Sequence, residues 1–233
     1  ERHQFIHLQA EVLLGYGAIC RVQGEIRKSL KHHRKALQIN EHSGNRFQEA
    51  ITLGLIANSL VDLSEWDQAL QTYHKSLRVN QDLGNRHGEL SNLVNMASVQ
   101  QRMGLFQAAL QSSRMAMELS IEMNDRASEA QAMEHIANVH YSLGEIDQAA
   151  PLYQQAIAIN RSINRRFSEA TNLGNMGNLY MDKGLNRKAI ECLEEALAIH
   201  KDIGSKSGQA LVIGNLGIAW EYLGETDKAE PGT

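Results

Sequence analysis

Apolar and small positions recur along this chain every 40 residues, with no insertion or deletion. One column reads Ala10, Ala50, Leu90, Ala130, Ala170, Ala210, and three residues further stand Leu13, Leu53, Leu93, Met133, Leu173, Ile213. Next come Tyr16, Ile56, Met96, Ile136, Met176, Leu216, beside a small column of Gly17, Ala57, Ala97, Ala137, Gly177, Gly217. Spacings of three and four place these residues on one face of a helix. A turn column (Gly24, Ser64, Gly104, Gly144, Gly184, Gly224) ends that helix. A second apolar set then begins at Ser29, Ala69, Ala109, Ala149, Ala189, Ala229 and continues at Ala36, Ser76, Ala116, Ala156, Ala196. Each repeat thus predicts two helices. A fixed period of this length signals stacked supersecondary units rather than one globular core. The expectation is an all-α solenoid of stacked antiparallel helix pairs, a single array over 1–233. Its repeats fall at about 6–45, 46–85, 86–125, 126–165, 166–205 and 206–233. That makes eleven full helices and a frayed stub after Glu225.

The second repeat shows the local logic. Asn45 caps a helix over about 46–63, and Ser64-Glu65 breaks it. A second helix over about 67–83 turns Ala69, Leu70, Tyr73, Ser76, Leu77 and Val79 inward and ends at Gly84, where a left-handed residue is wanted. The equivalent positions are Gly44, Asn124, Asn164 and Gly204, the residue types that reach positive φ most cheaply. Asn45, Asn85 and Asp125 supply the next caps, but the fifth repeat has Arg165 there, so its cap comes from Asn164 or is absent. Gly or Ala at the helix crossing lets two backbones approach, and a bulkier residue would displace its neighbours at about 1–3 kcal/mol. Pro151 falls one turn into a second helix, where a missing N–H is tolerated, and Pro231 holds the matching place in the sixth repeat.

Composition changes this picture little. The 233 residues are 42% hydrophobic and 21% charged, ordinary for a folded soluble protein. Apolar runs are too short to span a bilayer, and no secretory signal stands at the start. The net charge of −4 argues against a nucleic-acid partner. Cys20 and Cys192 lie in the first and fifth repeats, too distant for a disulfide, and read as packed, reduced thiols of a cytoplasmic protein. The one glycosylation sequon, Asn160-Arg161-Ser162, is expected to go unused. Beginning at Glu1 and stopping within a repeat, the chain reads as a fragment of a larger protein. Ten histidines raise metal binding, yet His32 and His33 diverge, His135 and His140 are five apart, and no cysteine pair has zinc spacing. There is no phosphate loop, nucleophile motif or paired-carboxylate pattern. No enzyme activity, cofactor or membrane partner is expected.

The columns resemble the tetratricopeptide repeat. In the fifth repeat its pattern falls at Leu173, Met176-Gly177, Tyr180, Gly184, Ala189, Leu193 and Ala196, and in the fourth Tyr153 holds the second aromatic position. The usual Trp of the first apolar column is absent, and the period is 40 rather than the common 34. Leu-Gly-Asn-Arg at 83–86 and Asn-Leu-Gly-Asn at 172–175 are similar to a longer-period subset. It includes the Leu-Gly-Asn repeat proteins of spindle orientation, the kinesin light chains and bacterial peptide-sensing regulators. The resemblance implies a right-handed superhelix whose first helices line a concave groove that holds peptides. It points to a protein-interaction scaffold, with a peptide-sensing regulatory domain or a self-assembling structural array as alternatives.

If so, two columns face the groove. One is Gly15, Leu55, Asn95, His135, Asn175, Asn215, and the other Ala18, Asn58, Ser98, Asn138, Asn178, Ile218. Asparagine is a poor mid-helix residue, so its recurrence asks for a reason. Either these amides form a ladder that bonds the backbone of a partner, or they bond neighbouring helices or water. Gly54, Gly174 and Gly214 beside them either leave room for a partner or let helices pack closely. The first two repeats present an apolar groove (Leu14, Val22, Ile51, Leu55, Val61), the later ones a polar groove with Arg102, Glu134, His135, Tyr141 and Asp182. Arg46, Arg86, Arg126, Arg166 and Lys206 precede Glu49, Glu89, Glu129 and Glu169 by three residues. They form either surface ion pairs of little worth or a rail for an acidic partner. Trp220, Leu216 and Leu223 lack a covering helix, which predicts weak end-to-end self-association.

Overall fold

The computed structural model describes residues 2–229, with side chains from 7 to 224. Eleven α-helices and no strand are present among them. They are α1 (Arg2–Val22), α2 (Ile26–Ser43), α3 (Arg46–Asp62), α4 (Trp66–Asp82), α5 (Arg86–Arg102), α6 (Phe106–Glu122), α7 (Arg126–Ser142), α8 (Ile146–Ser162), α9 (Arg166–Asp182), α10 (Asn186–Asp202) and α11 (Lys206–Ala229). They divide into two compact units, Glu1–Leu119 and Ser120–Thr233. In the first, α1 packs on α2, α2 on α3, α3 on α4 and α4 on α5, and α3 also touches α5. In the second, α7 to α11 pack in the same succession, and α9 also touches α11. This is the stacked helix-pair packing of an α-solenoid.

One residue with positive φ reverses the chain every twenty positions, from Gly24 (78°) through Ser64 (60°), Asn124 (54°) and Asn164 (57°) to Gly204 (69°). Ser64 alone among these ten is neither Gly nor Asn. The caps follow the expectation. Asn45 accepts from the Gln48 N–H, Asn85 from Gly88, and Asp125 from Ala127 and Ser128, while Arg165 makes no side-chain cap bond. Pro151 is the sixth residue of α8, beyond the N–H groups that a helix start leaves free, and the helix absorbs the single lost bond.

In the inner repeats the predicted columns form the core, while Tyr16, Ala210 and Ile213 of the end repeats are exposed. Ala57, Ala137, Ala149, Tyr153, Ala170, Leu193 and Ala196 are wholly buried. The small column has a steric cause. A Cβ on Gly17 would stand 2.3 Å from His33 Nε2, and one on Gly177 would stand 2.7 Å from Leu193 Cγ. The helix joints also carry buried polar bonds. Asn40 Nδ2 donates to Thr52 Oγ1 (3.0 Å), and Asn92 Nδ2 donates to Ser76 Oγ (3.0 Å).

Two expectations change. Arg46–Glu49, Arg86–Glu89, Arg126–Glu129 and Arg166–Glu169 are ion pairs at 2.8, 3.4, 2.5 and 2.7 Å, but they are not plain surface pairs. The four glutamates are only 0–8% exposed, and each stands in the first turn of its helix, where the dipole favours a negative charge. Arg161 Nε also donates to Glu169, at 2.7 Å. Second, Gly224 makes no turn: α11 runs through to Ala229. Adding a residue to an existing helix gains a hydrogen bond at once, whereas a reversal is favoured only if the following segment buries an apolar face. After Gly224 only Ala229 belongs to a core column, so the helix continues. Pro231 lies outside the described residues. Leu216 and Leu223 find partial cover on the core, while Trp220 is 53% exposed.

Candidate functional site

The first helices of the repeats carry the asparagine columns, and the structure shows where each amide goes. In the first compact unit the Tyr73 hydroxyl donates to Asn58 Oδ1. Burial is the main cause that pushes Tyr73 up to about 12. Asn95 is half-buried and makes no side-chain bond among the described residues. The Arg102 guanidinium lies over the Trp66 ring, 5.7 Å from its centroid.

In the second unit, Asn138 Oδ1 accepts from the Tyr153 hydroxyl and from Asn175 Nδ2 at 3.4 Å. The Tyr–Asn pairing fifteen residues apart therefore occurs in both units. The fifth repeat has Leu193 in place of that tyrosine, so Asn178 Oδ1 is left to accept from Asn215 Nδ2 (2.9 Å). The amides join successive first helices, α7 to α9 and α9 to α11. Each spends one end on a protein neighbour: Oδ1 of Asn58, Asn138 and Asn178, Nδ2 of Asn175 and Asn215. Both readings of the column thus keep a physical basis. The Tyr141 hydroxyl donates to Asp182 at 2.5 Å, which ties α7 to α9 again.

The glycines beside this column separate into two kinds. A Cβ on Gly174 or Gly214 would meet nothing within 4 Å, and one on Gly54 would meet only Ser76 Oγ, at 4.0 Å. Close helix packing therefore does not explain them, in contrast to Gly17 and Gly177.

Two neighbouring pockets open on this face of the second unit. One, about 290 Å³, is bounded by Gln131, Glu134, His135, Asn160, Arg165 and the Phe167–Thr171 segment. Burial raises the Glu134 carboxyl, against a bond from Asn172 Nδ2 (3.1 Å) and the charge of Arg165, which lower it. Burial holds His135 below the usual imidazole range, and neither ring nitrogen has a partner. Asn160, 1% exposed, has an unpartnered Oδ1, and that burial also removes its sequon from solvent. The Arg165 guanidinium donates to the Ala127 carbonyl, at 3.1 Å. The other pocket, about 310 Å³, lies between α9 and α11 and is lined by Gly174, Asn175, Asn178, Leu211, Val212 and Asn215 among others. Phe167 and Thr171 border both. The α9–α11 stretch is thus partly apolar, where a wholly polar later groove was expected. Glu134 entered the sequence reading only as one polar residue among several. Asn160 did not enter it as a site residue, and the signal that could have found it is Arg165 in a column otherwise held by capping residues.

The tetratricopeptide repeat family model matches residues 8–82, 48–122, 88–162 and 168–231. The chain belongs to the tetratricopeptide repeat family. No curated protein matches the sequence. Among solved structures, BtubC (BKLC) from P. vanneervenii is similar with a TM-score of 0.76 at 18% identity, over 86% of this chain and 83% of that one. The STAND signal-transduction ATPase with a tetratricopeptide repeat sensor from Pyrococcus horikoshii matches at 0.78 and 15% identity, over 90% and 32%. A Rap protein complexed with Competence and Sporulation Factor matches at 0.77 and 14%, over 94% and 64%. The chain thus spans about a third of the ATPase and just under two thirds of the Rap protein. These likenesses establish the fold. As a tetratricopeptide repeat protein the chain offers a repeat scaffold, and among the described residues no helix is long and apolar enough to cross a membrane.

Proposed function

We propose that this chain is a protein-interaction scaffold that holds an extended segment of a partner along the face of its first helices. The observation that carries the proposal is the open space over Gly174 and Gly214, beside two pockets. Glycine in a helix interior costs about 1 kcal/mol relative to alanine, and here no packing contact requires it. Room for a partner backbone is a use for that space. The half-satisfied amides of Asn175, Asn178 and Asn215 lie alongside, each with one polar end left for a peptide group. Asn58, Asn95, Arg102, His135, Asn138 and Tyr141 extend the same proposed surface. The unbroken 40-residue register supports reading both compact units as one array.

The test is selection from a displayed random peptide library on the wild-type chain and on Gly174→Leu. A leucine there meets no neighbour at its Cβ, so the variant folds while its side chain fills the face. Peptides enriched by the wild type are expected to lose binding to the variant at least tenfold. Enrichment of the same peptides by both proteins would refute the proposed face.

A further inference from the structure

The pocket between α7 and α9 has an unusual balance of polar groups. Glu134 makes no ion pair among the described residues, although it is a largely desolvated carboxylate. One of its oxygens takes the Asn172 amide, and no bond to the other is seen. Beside it stand the buried, unpartnered Asn160 Oδ1 and both unpartnered nitrogens of His135. In the first compact unit the corresponding Asn80 Oδ1 is satisfied by Asn85 Nδ2 at 2.7 Å. In the second, Arg165 occupies the place of Asn85 and donates to the Ala127 carbonyl, and Asn160 Oδ1 has no donor; the equivalent Asn40 Oδ1 also lacks one, because Asn45 Nδ2 bonds His7 Nδ1. A buried acceptor without a donor costs free energy, and a buried carboxylate without a cation costs more. Arg165 lines the pocket and its charge acts on Glu134, but it forms no ion pair with Glu134 and no bond to Asn160, so neither acceptor holds a cationic N–H donor. At its mouth Phe167 is 58% exposed, and its ring is braced edge-on by His200 at 5.7 Å.

We propose that this pocket, lined by Glu134, His135, Asn160 and Phe167, is the anchor site for a basic side chain, an arginine in preference to a lysine, on the bound partner. A guanidinium brings a permanent charge to Glu134 and enough fixed donors to reach the carboxylate, Asn160 Oδ1 and the acceptor nitrogen of His135. Its planar face also stacks on Phe167. The adjoining α9–α11 pocket, with Leu211 and Val212, then takes a neighbouring apolar side chain of the same segment. The assignment rests on the proposed peptide-binding face and names the chemistry of its occupant.

The test uses small probes, so it does not depend on knowing the partner. N-acetyl-arginine amide and its neutral isostere N-acetyl-citrulline amide are titrated into the isotope-labelled chain at neutral pH and followed by NMR. The arginine probe is expected to shift the amide signals of 131–135 and 167–171 and to bind at least tenfold more tightly than citrulline. Glu134→Gln keeps an oxygen for Asn172 but removes the charge, and is expected to abolish that preference with the helical circular dichroism unchanged. Equal binding of the two probes, no shifts at these residues, or an undiminished preference in Glu134→Gln would overturn the anchor. If the anchor fails while library peptides still bind in a manner sensitive to Gly174→Leu, only the basic-side-chain assignment falls. Loss of both removes the face itself.

Discussion

Gly174 and Gly177 stand three residues apart in α9, yet alanine at the two positions should act with opposite signs. A Cβ at 174 meets no atom within 4 Å. Gly174→Ala therefore gains only helix propensity and should stabilise the chain by about 1 kcal/mol. At 177 the same atom would lie 2.7 Å from Leu193 Cγ, 2.9 Å from its Cδ2 and 3.4 Å from the Ala189 carbonyl oxygen. Leu193 is wholly buried, and its Cγ cannot swing aside as the tip of a long chain can. Overpacking of this kind costs about 1–3 kcal/mol. Against the propensity gain, Gly177→Ala should be destabilising by a net ~0–2 kcal/mol. The two variants should thus differ by ~1–3 kcal/mol, or a few degrees in Tm at about 2–4 °C per kcal/mol. Urea titration followed by circular dichroism measures it, with the slope compared first so that a shifted midpoint reports stability. Displacement of both midpoints in the same direction would refute the division of these glycines into an open kind and a packed kind.

Asn138→Ala should destabilise by ~1–3 kcal/mol because it strands the buried Tyr153 hydroxyl, and the loss should shrink in a Tyr153→Phe background; a cycle with no coupling contradicts the bond. Asn175→Ala with Asn178→Ala should weaken peptide binding about tenfold, while stability changes little because the lost Asn175–Asn138 bond, long at 3.4 Å, and the lost Asn178–Asn215 bond are offset by propensity at two positions; earlier melting with intact binding would make these amides structural only. Burial holds His33, His135 and His200 below the usual imidazole range, so the unfolded chain binds more protons as pH falls. Their contribution is complete above pH ~6.5 and is lost as pH drops from there through the depressed folded values. Glu134, raised by burial, acts in the opposite sense: its contribution is present below the unfolded pKa near ~4.3 and lost as pH rises through the raised folded value. Tm should therefore fall between pH 7 and 5.5, and a flat profile would contradict the histidine assignment. Ile213 and Trp220, seven residues apart, leave an exposed apolar face on α11, so sedimentation should show weak concentration-dependent association that Trp220→Ala reduces; a strict monomer at high concentration would count against it.

The repeat columns carried the fold because small residues recur opposite the same position, sixteen residues on, as Gly17 does with His33 and Gly177 with Leu193. Turn residues were equally legible, since positive φ restricts the choice of side chain. Gly224 misled because it keeps the column while the segment after it offers little to bury. Ion pairing was one of two readings left open for the Arg–Glu columns, but the burial of the glutamates was not foreseen, because it depends on packing that residue spacing leaves open. The candidate site was legible only as columns. That Tyr73 and Tyr153 would claim Asn58 and Asn138 depends on the approach of the second helix, which residue spacing leaves open. Arg165 was visible as a missing cap, but the orphaned Asn160 beneath it emerges only when α8 and α9 are placed together.

The reversal of the chain every twenty positions also governs how this protein can change length. A one-residue insertion within a helix turns everything beyond it by about 100°, which swings buried columns such as Leu53 and Ile56 toward solvent. Whole repeats are different, because a block of forty residues begins and ends in the same register and presents the same two faces. Growth by duplication or loss by deletion should therefore proceed in steps of one helix pair. Each step would lengthen the proposed binding face by one more first helix without disturbing its neighbours.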